Sequence, residues 1–206
     1  MINKSFRDLE NWIFVRPGGN WPPREVPEDA VLLRIADQFD VHFVACVEDE
    51  EGEREDIIIT HAQMKRWRIK QKRLTQTAGW NNCDVAIWTW PHVEDDIRLF
   101  RYPEPNEHWI GHIITPGGLL EHTDVSDSPC IMIPNPTTVL IAGLHDRQAQ
   151  DLLLELSVKE VGTQGPLTRR PLVIDKKWEN WNLVPDAENP LAAEYQKHFG
   201  DACPAD

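Results

Sequence analysis

Two imidazoles and a carboxylate are what a zinc or iron site needs, and the chain offers them in His112, His122 and Asp124, with His108 upstream. A divalent metal held there would activate water, so a metal-dependent hydrolase is one functional expectation. The competing reading is a set of surface and turn histidines, because the spacing matches no ligand template. Trp109-Ile110-Gly111 separates His108 from His112 and Ile113-Ile114 follows, which predicts a strand. Residues four apart on a strand are separated by about 13 Å. Ser126 and Ser128 stand near His122 and Asp124, but no G-x-S-x-G elbow frames a nucleophile, and a triad is defined in space rather than along the chain.

Three further patterns carry charge or aromatic surface. Glu94-Asp95-Asp96, beside His92, offers acid–base or cation-binding groups, yet consecutive loop acids are usually solvated. Lys65, Arg66, Arg68, Lys70, Lys72 and Arg73 crowd around Trp67. Residues 65–73 therefore read either as a nucleic-acid patch or as a solvated helical face that offsets the acidic loop before it. Nine tryptophans are many for the length, and tryptophan is enriched in cores and in interface hot spots alike. Trp88 and Trp90 fall on one face of an expected strand and read as core. Trp12, Trp21, Trp178 and Trp181 sit among polar, charged or proline-rich neighbours and are the candidate partner-binding residues.

Acids outnumber bases 34 to 21, a formal charge of −13, which repels phosphate backbones and anionic lipid and suits a partner protein with a basic surface. The first ten residues contain no apolar signal core, and no stretch approaches the roughly 18 apolar residues that span a bilayer. A cytoplasmic location without membrane contact is expected. Cys46, Cys83, Cys130 and Cys203 are widely spread with no C-x-x-C pair, which predicts free thiols rather than a zinc knot. No glycine-rich phosphate loop follows a strand, and no cofactor is expected.

The elements that must position these groups follow from periodicity and capping. Residues 1–30 read as a Pro/Gly/Trp-rich N-terminal arm after a short helix over Phe6 to Phe14. Asp40 to Val47 and Ile57 to Thr60 predict a hairpin around an acidic loop. Thr60 and Gln63 have capping-box spacing, starting a helix that breaks at Ile69 and resumes over Gln71 to Trp80. Strands are expected at Cys83 to Trp90, Ile97 to Phe100 and Trp109 to Ile114. Cys130 to Ile133 and Thr138 to Ile141 flank Pro134-Asn135-Pro136 as a second hairpin. Asp146 caps an amphipathic helix, Pro171 to Asp175 is a last strand, and residues 176–206 form a C-terminal extension ending in a short helix from Asn189-Pro190 to Gly200. The absence of regular βαβ alternation predicts a single α+β domain over residues 1–206, a mostly antiparallel sheet of short strands with helices packed on one side.

Phe43-Val44-Ala45-Cys46-Val47, Ile57 through Ile69 and Leu74 resemble the strand, hairpin and "threonine, helix, tryptophan" segment of the YtpQ-like bacterial family of unknown function. Gly117-Gly118-Leu119-Leu120-Glu121 and the Cys130 to Ala142 hairpin are similar to later segments of that family, so the resemblance covers residues 40–160. Arg68 stands where the family has glycine, and Pro136-Thr137 where it has Arg-Asp. The resemblance implies a bacterial cytosolic protein and this order of elements, and it carries no activity or catalytic residue. The leading functional expectation is a non-enzymatic protein-binding domain, of adaptor, inhibitor or immunity type. The metal-dependent hydrolase around residues 112–124 and nucleic-acid binding through residues 65–73 are the alternatives.

Overall fold

Strand β3, Phe39–Glu48, alternates: Phe39, Val41, Phe43 and Ala45 enter the core, while Asp40, His42, Cys46 and Glu48 take the opposite face, where Val44 is buried as well. A computed structural model of the chain describes residues 2, 4–17, 26–48, 52–86, 92–93, 97–101, 107–116, 123–125, 127–161, 165–175, 177 and 180–200. In it β3 is the spine of a four-stranded antiparallel sheet. Strand β1, Ile13–Pro17, lies along one edge, with Ile13 opposite Ala45 and Pro17 opposite Val41. Strands β2, Leu32–Ile35, and β4, Arg54–Ile58, share the other edge end to end, β2 against Phe39 to His42 and β4 against Val44 to Glu48. The turn from β2 to β3 places Ala36 and Asp37 at φ 47° and 55°, the left-handed pair that matches strand twist in a tight hairpin.

Helices α1, Phe6–Leu9, α2, His61–Trp67, and α3, Gln71–Ala86, accompany this sheet. Ser5 and Asp8 form a reciprocal capping box on α1. Thr60 accepts the Gln63 N–H at 3.2 Å to start α2. Arg68 ends α2 in the left-handed region at φ 56°, and the Ile69 N–H closes back on Met64 O at 3.2 Å. The left-handed cap at the expected break lets α3 set off in a new direction.

The second sheet has six antiparallel strands, β5 (His92–Val93), β6 (Leu99–Arg101), β7 (Pro129–Asn135), β8 (Thr138–Gly143), β9 (Leu172–Ile174) and β10 (Trp181–Leu183), in the order β10-β9-β7-β8-β6-β5. The expected β7–β8 hairpin forms, and Asn135 Oδ1 accepts the Thr137 N–H at 2.9 Å inside its turn. Ile131, Ile133 and Ile141 join Phe43, Leu74, Ile110 and Ile113 in one core, so the two sheets and the helix α4, Ile110–Ile114, share a hydrophobic interior. On the other face Cys130, Met132, Leu140 and Ala142 meet Leu153 of α5, Arg147–Glu160, and Tyr195 of α6, Ala192–Phe199. Asp146 caps α5 through the Ala149 N–H at 3.1 Å, as its position predicts. The fold is α+β, with two antiparallel sheets of short strands.

Three local expectations are corrected and one region gains an element. The helix expected over Phe6 to Phe14 stops at Leu9, passes through a 3-10 turn at Glu10–Trp12 and becomes β1, because Ile13 and Val15 alternate into the core. The strand expected from Cys83 is instead helix as far as Ala86; residues 87–90 lie outside the described segments. The strand expected over Trp109 to Ile114 is a 3-10 turn followed by α4. Strand β10 arises inside the region read as a C-terminal extension and pairs with β9, Trp181 opposite Ile174.

The α3–α4 crossing explains two of these corrections. A Cβ on Gly111 would lie 2.6 Å from Asn82 Cβ and 2.9 Å from Cys83 N, so the bare glycine lets the two helices touch. A Cβ on Gly79 would lie 2.5 Å from Thr115 Cγ2. Helical structure here is set by that close approach, which periodicity along one segment does not reveal.

Candidate binding surface

His112 and Asp124 each take a different partner in the structure, and His122 lies outside the described residues. His112 is buried on α4 with Nδ1 3.5 Å from the Cys83 sulfur, and the same sulfur lies 3.3 Å from the Thr115 hydroxyl. Thr115 also donates to Gly111 O at 2.6 Å, which ties its hydroxyl to the first turn of α4. Burial pushes the Cys83 thiol up, against the lowering effect of Thr115, so the group is a neutral thiol bracing the helix crossing rather than an activated nucleophile. Asp124 is exposed and pairs with Arg98 at 3.6 Å. Among the described residues no three His, Cys, Asp or Glu side chains form a metal-ligating group. His122, Ser126, Trp21, Trp88, Trp90, Trp178, Cys203 and the Glu94-Asp95-Asp96 run lie outside the described residues.

His108 belongs to a different neighbourhood, the outer face of the four-stranded sheet. Its ring packs edge-on to Phe14 at 5.7 Å, beside the Arg16–Asp56 ion pair, whose nitrogen and oxygen are 3.1 Å apart. Burial, with the Arg16 charge adding to it and Asp56 opposing, pulls His108 down to about 4. His42, on the same face, is lowered by burial against the pull of Asp40. Both imidazoles are neutral at pH 7 and serve the packing of this face.

The tryptophans divide. Trp181, expected on the surface, is buried, and its indole N–H donates to Ile113 O at 2.7 Å, because β10 carries it beneath α4. Trp109 is fully buried and donates to Pro136 O at 3.0 Å. Trp12 is 41% exposed, with the Arg54 guanidinium 4.8 Å above its ring. Trp80, which sequence reasoning placed only at a helix end, is 74% exposed. It shares the outward face of α3 with the exposed Arg73, Gln76 and Asp84, while Leu74 and Ala78 point inward. The signal for Trp80 was that same periodicity: it lies outside the apolar stripe.

These two indoles border one junction. Asn81, next to Trp80, donates to Glu10 O at 2.8 Å and Ile13 O at 2.7 Å, and Arg73 pairs with Glu10, so α3 holds the 3-10 turn that carries Trp12. Beside it, α1 and α2 enclose a cleft of about 470 Å³ lined by Lys4, Ser5, Phe6, Arg7, Arg66 and Trp67. Phe6 and Trp67 meet edge to face at 5.7 Å, the Trp67 N–H donates to Lys4 O at 3.0 Å, and Arg66 donates to Ile2 O at 3.2 Å. Lys65, Arg66, Arg68, Lys70 and Lys72 are exposed on the continuing surface, so the face around the aromatics is positive although the chain is acidic.

No protein-family model, curated protein or solved structure matches the chain. Among the described residues no helix is long and apolar enough to cross a membrane.

Proposed function

We propose that the protein is a non-enzymatic binding module that docks another protein through the face of α1, α2 and α3, with Trp80 as its anchor. The observation that supports this is the 74% exposure of Trp80 on a sixteen-residue helix whose opposite side is fixed to β1 and α4. A large indole presented on a rigid element loses little conformational freedom when covered, and its burial is worth on the order of 3 kcal/mol. Trp12 extends the same contact area, already stacked on Arg54.

The net charge of −13 draws basic partners at long range, but charges at contact decide what docks, since screening confines them to about 8–10 Å. The local cations assign the partner's contact patch an acidic character. A YtpQ-like resemblance belongs to the same proposal; its described segments fall on β3, β4, α2, the start of α3 and the β7–β8 hairpin, and Gly117 to Glu121 lies outside the described residues.

The test is capture from lysate of the native host at low salt, using the full chain and its Trp80→Ser variant side by side. One stoichiometric partner, retained by the first and lost from the second, is the expected result. A partner retained equally by both would move the docking face elsewhere, and no retained protein would overturn the reading.

A further inference from the structure

The arginines of this acidic chain are, as a rule, paired: Arg16 with Asp56, Arg34 with Asp40, Arg98 with Asp124, Arg147 with Asp151 and Arg170 with Asp186. Among the described residues, Arg7, Arg66 and Arg68 have no acid within ion-pair distance, and all three belong to α1, α2 and the cap of α2. Lys4, at the start of α1, is likewise without an acidic partner. The nearby Asp8 accepts the Ser5 N–H and hydroxyl on a single carboxylate oxygen, at 3.1 and 2.6 Å, and those bonds, with a smaller attraction from Arg7 and Lys4, hold its carboxyl below the usual range. With 34 acids against 21 bases, leaving these cations unmatched around a single cleft is a local departure from the composition of the chain.

We infer that the cleft between α1 and α2, lined by Lys4, Arg7 and Arg66, receives a short acidic segment of the partner protein, its carboxylates pairing with these cations. The inference rests on the protein-binding reading and adds a second contact beside Trp80. A volume of about 470 Å³ accommodates a few side chains, and its open form suits a segment that passes across it. The guanidinium groups supply forked donors that match carboxylate geometry. Nucleic acid fits less well. Phe6 and Trp67 are half-buried, edge to face with each other and against the core, with the Trp67 N–H already used, which limits the ring surface on which a base could stack. A long phosphate backbone would also meet the repulsion of the whole chain, which a short segment largely escapes.

Fluorescence anisotropy of a labelled octaglutamate peptide against the full-length chain at low salt tests this, with octaglutamine and octathymidylate as parallel probes. Saturable octaglutamate binding is expected, absent for octaglutamine and weakened roughly three- to tenfold by the Lys4→Gln/Arg7→Gln double variant. Among the described residues neither side chain makes an ion pair, and their attraction to the fully exposed Asp8 is a minor one, so the unfolding midpoint of that variant should stay close to the parent and a loss of binding reports the cleft. The Trp80→Ser chain should keep octaglutamate binding, which separates failure of the cleft from failure of the Trp80 anchor. Absence of saturable octaglutamate binding, insensitivity to the double variant, or tighter binding of octathymidylate with the same sensitivity would each overturn the assignment.

Discussion

The carboxamide of Asn82 pairs with both backbone groups of Val15: its Oδ1 accepts the Val15 N–H at 2.8 Å and its Nδ2 donates to the Val15 carbonyl at 3.1 Å. A side chain from α3 thus does for the free edge of β1 what another strand would do. Asn81 adds a donor to Ile13 O at 2.7 Å. A short, otherwise open edge is satisfied without a fifth strand.

Replacing Asn82 by alanine leaves a buried donor and a buried acceptor without partners. Each costs roughly 1–3 kcal/mol, so Asn82→Ala should lower stability by about 2–6 kcal/mol, read as a fall in the urea midpoint with an unchanged slope. Asn82→Asp retains the acceptor but turns a carboxylate oxygen toward the Val15 carbonyl, and should be no better. A loss below about 0.5 kcal/mol for Asn82→Ala would contradict this account.

Gly111→Ala sets helix propensity against sterics. Alanine favours a helix interior by about 1 kcal/mol, but its Cβ would sit 2.9 Å from Cys83 N and 3.0 Å from Gly79 O, backbone atoms that cannot move independently. The clash should win, lowering the thermal midpoint by several degrees. A rise in midpoint would mean the α3–α4 contact is looser than described.

The β2–β3 turn holds two non-glycine residues at positive φ, and Asp37 is the exposed one, at φ 55°. Asp37→Gly should stabilise by about 0.5–1 kcal/mol, because glycine meets no Cβ penalty there. Chemical denaturation of the two proteins under the same buffer checks the sign.

His108 gives the stability a pH dependence of fixed sign. Unfolded, its imidazole takes a proton near 6.5; folded, it resists until about 4, so between those values the unfolded chain binds more protons. Stability is therefore held above pH 6.5 and lost as pH falls toward 4, and the lowered His42 acts in the same direction. Urea midpoints measured from pH 7 to pH 4.5 should decline, and His108→Gln should flatten part of the decline. An unchanged profile in His108→Gln would assign the effect to other groups.

What could be read from the sequence was local. The Thr60 and Asp146 caps, the break at Ile69 and the Asn135 turn are decided by residues within four positions of each other, and each formed where expected. What could not be read depends on distant partners. Trp109 to Ile114 is apolar enough for either a strand or a helix, and Gly111 meeting Asn82 decides it. Cys83 and His112 become neighbours only through that crossing, a contact that no local spacing around His112 reveals. Net charge is a sum over the chain and carries no positions: a total of −13 coexists with exposed cations gathered on α1, α2 and the start of α3.

The Asn82–Val15 pairing also bears on how the chain leaves the ribosome. The four-stranded sheet has all its strands once Ile58 has emerged, but the residue that seals β1 follows about two dozen positions later. At roughly 5–20 residues per second, the outer edge of β1 stays exposed for about one to five seconds of every synthesis. In that interval the nascent chain presents a strand edge to its neighbours on a polysome, and the emergence of α3 is the event that closes it.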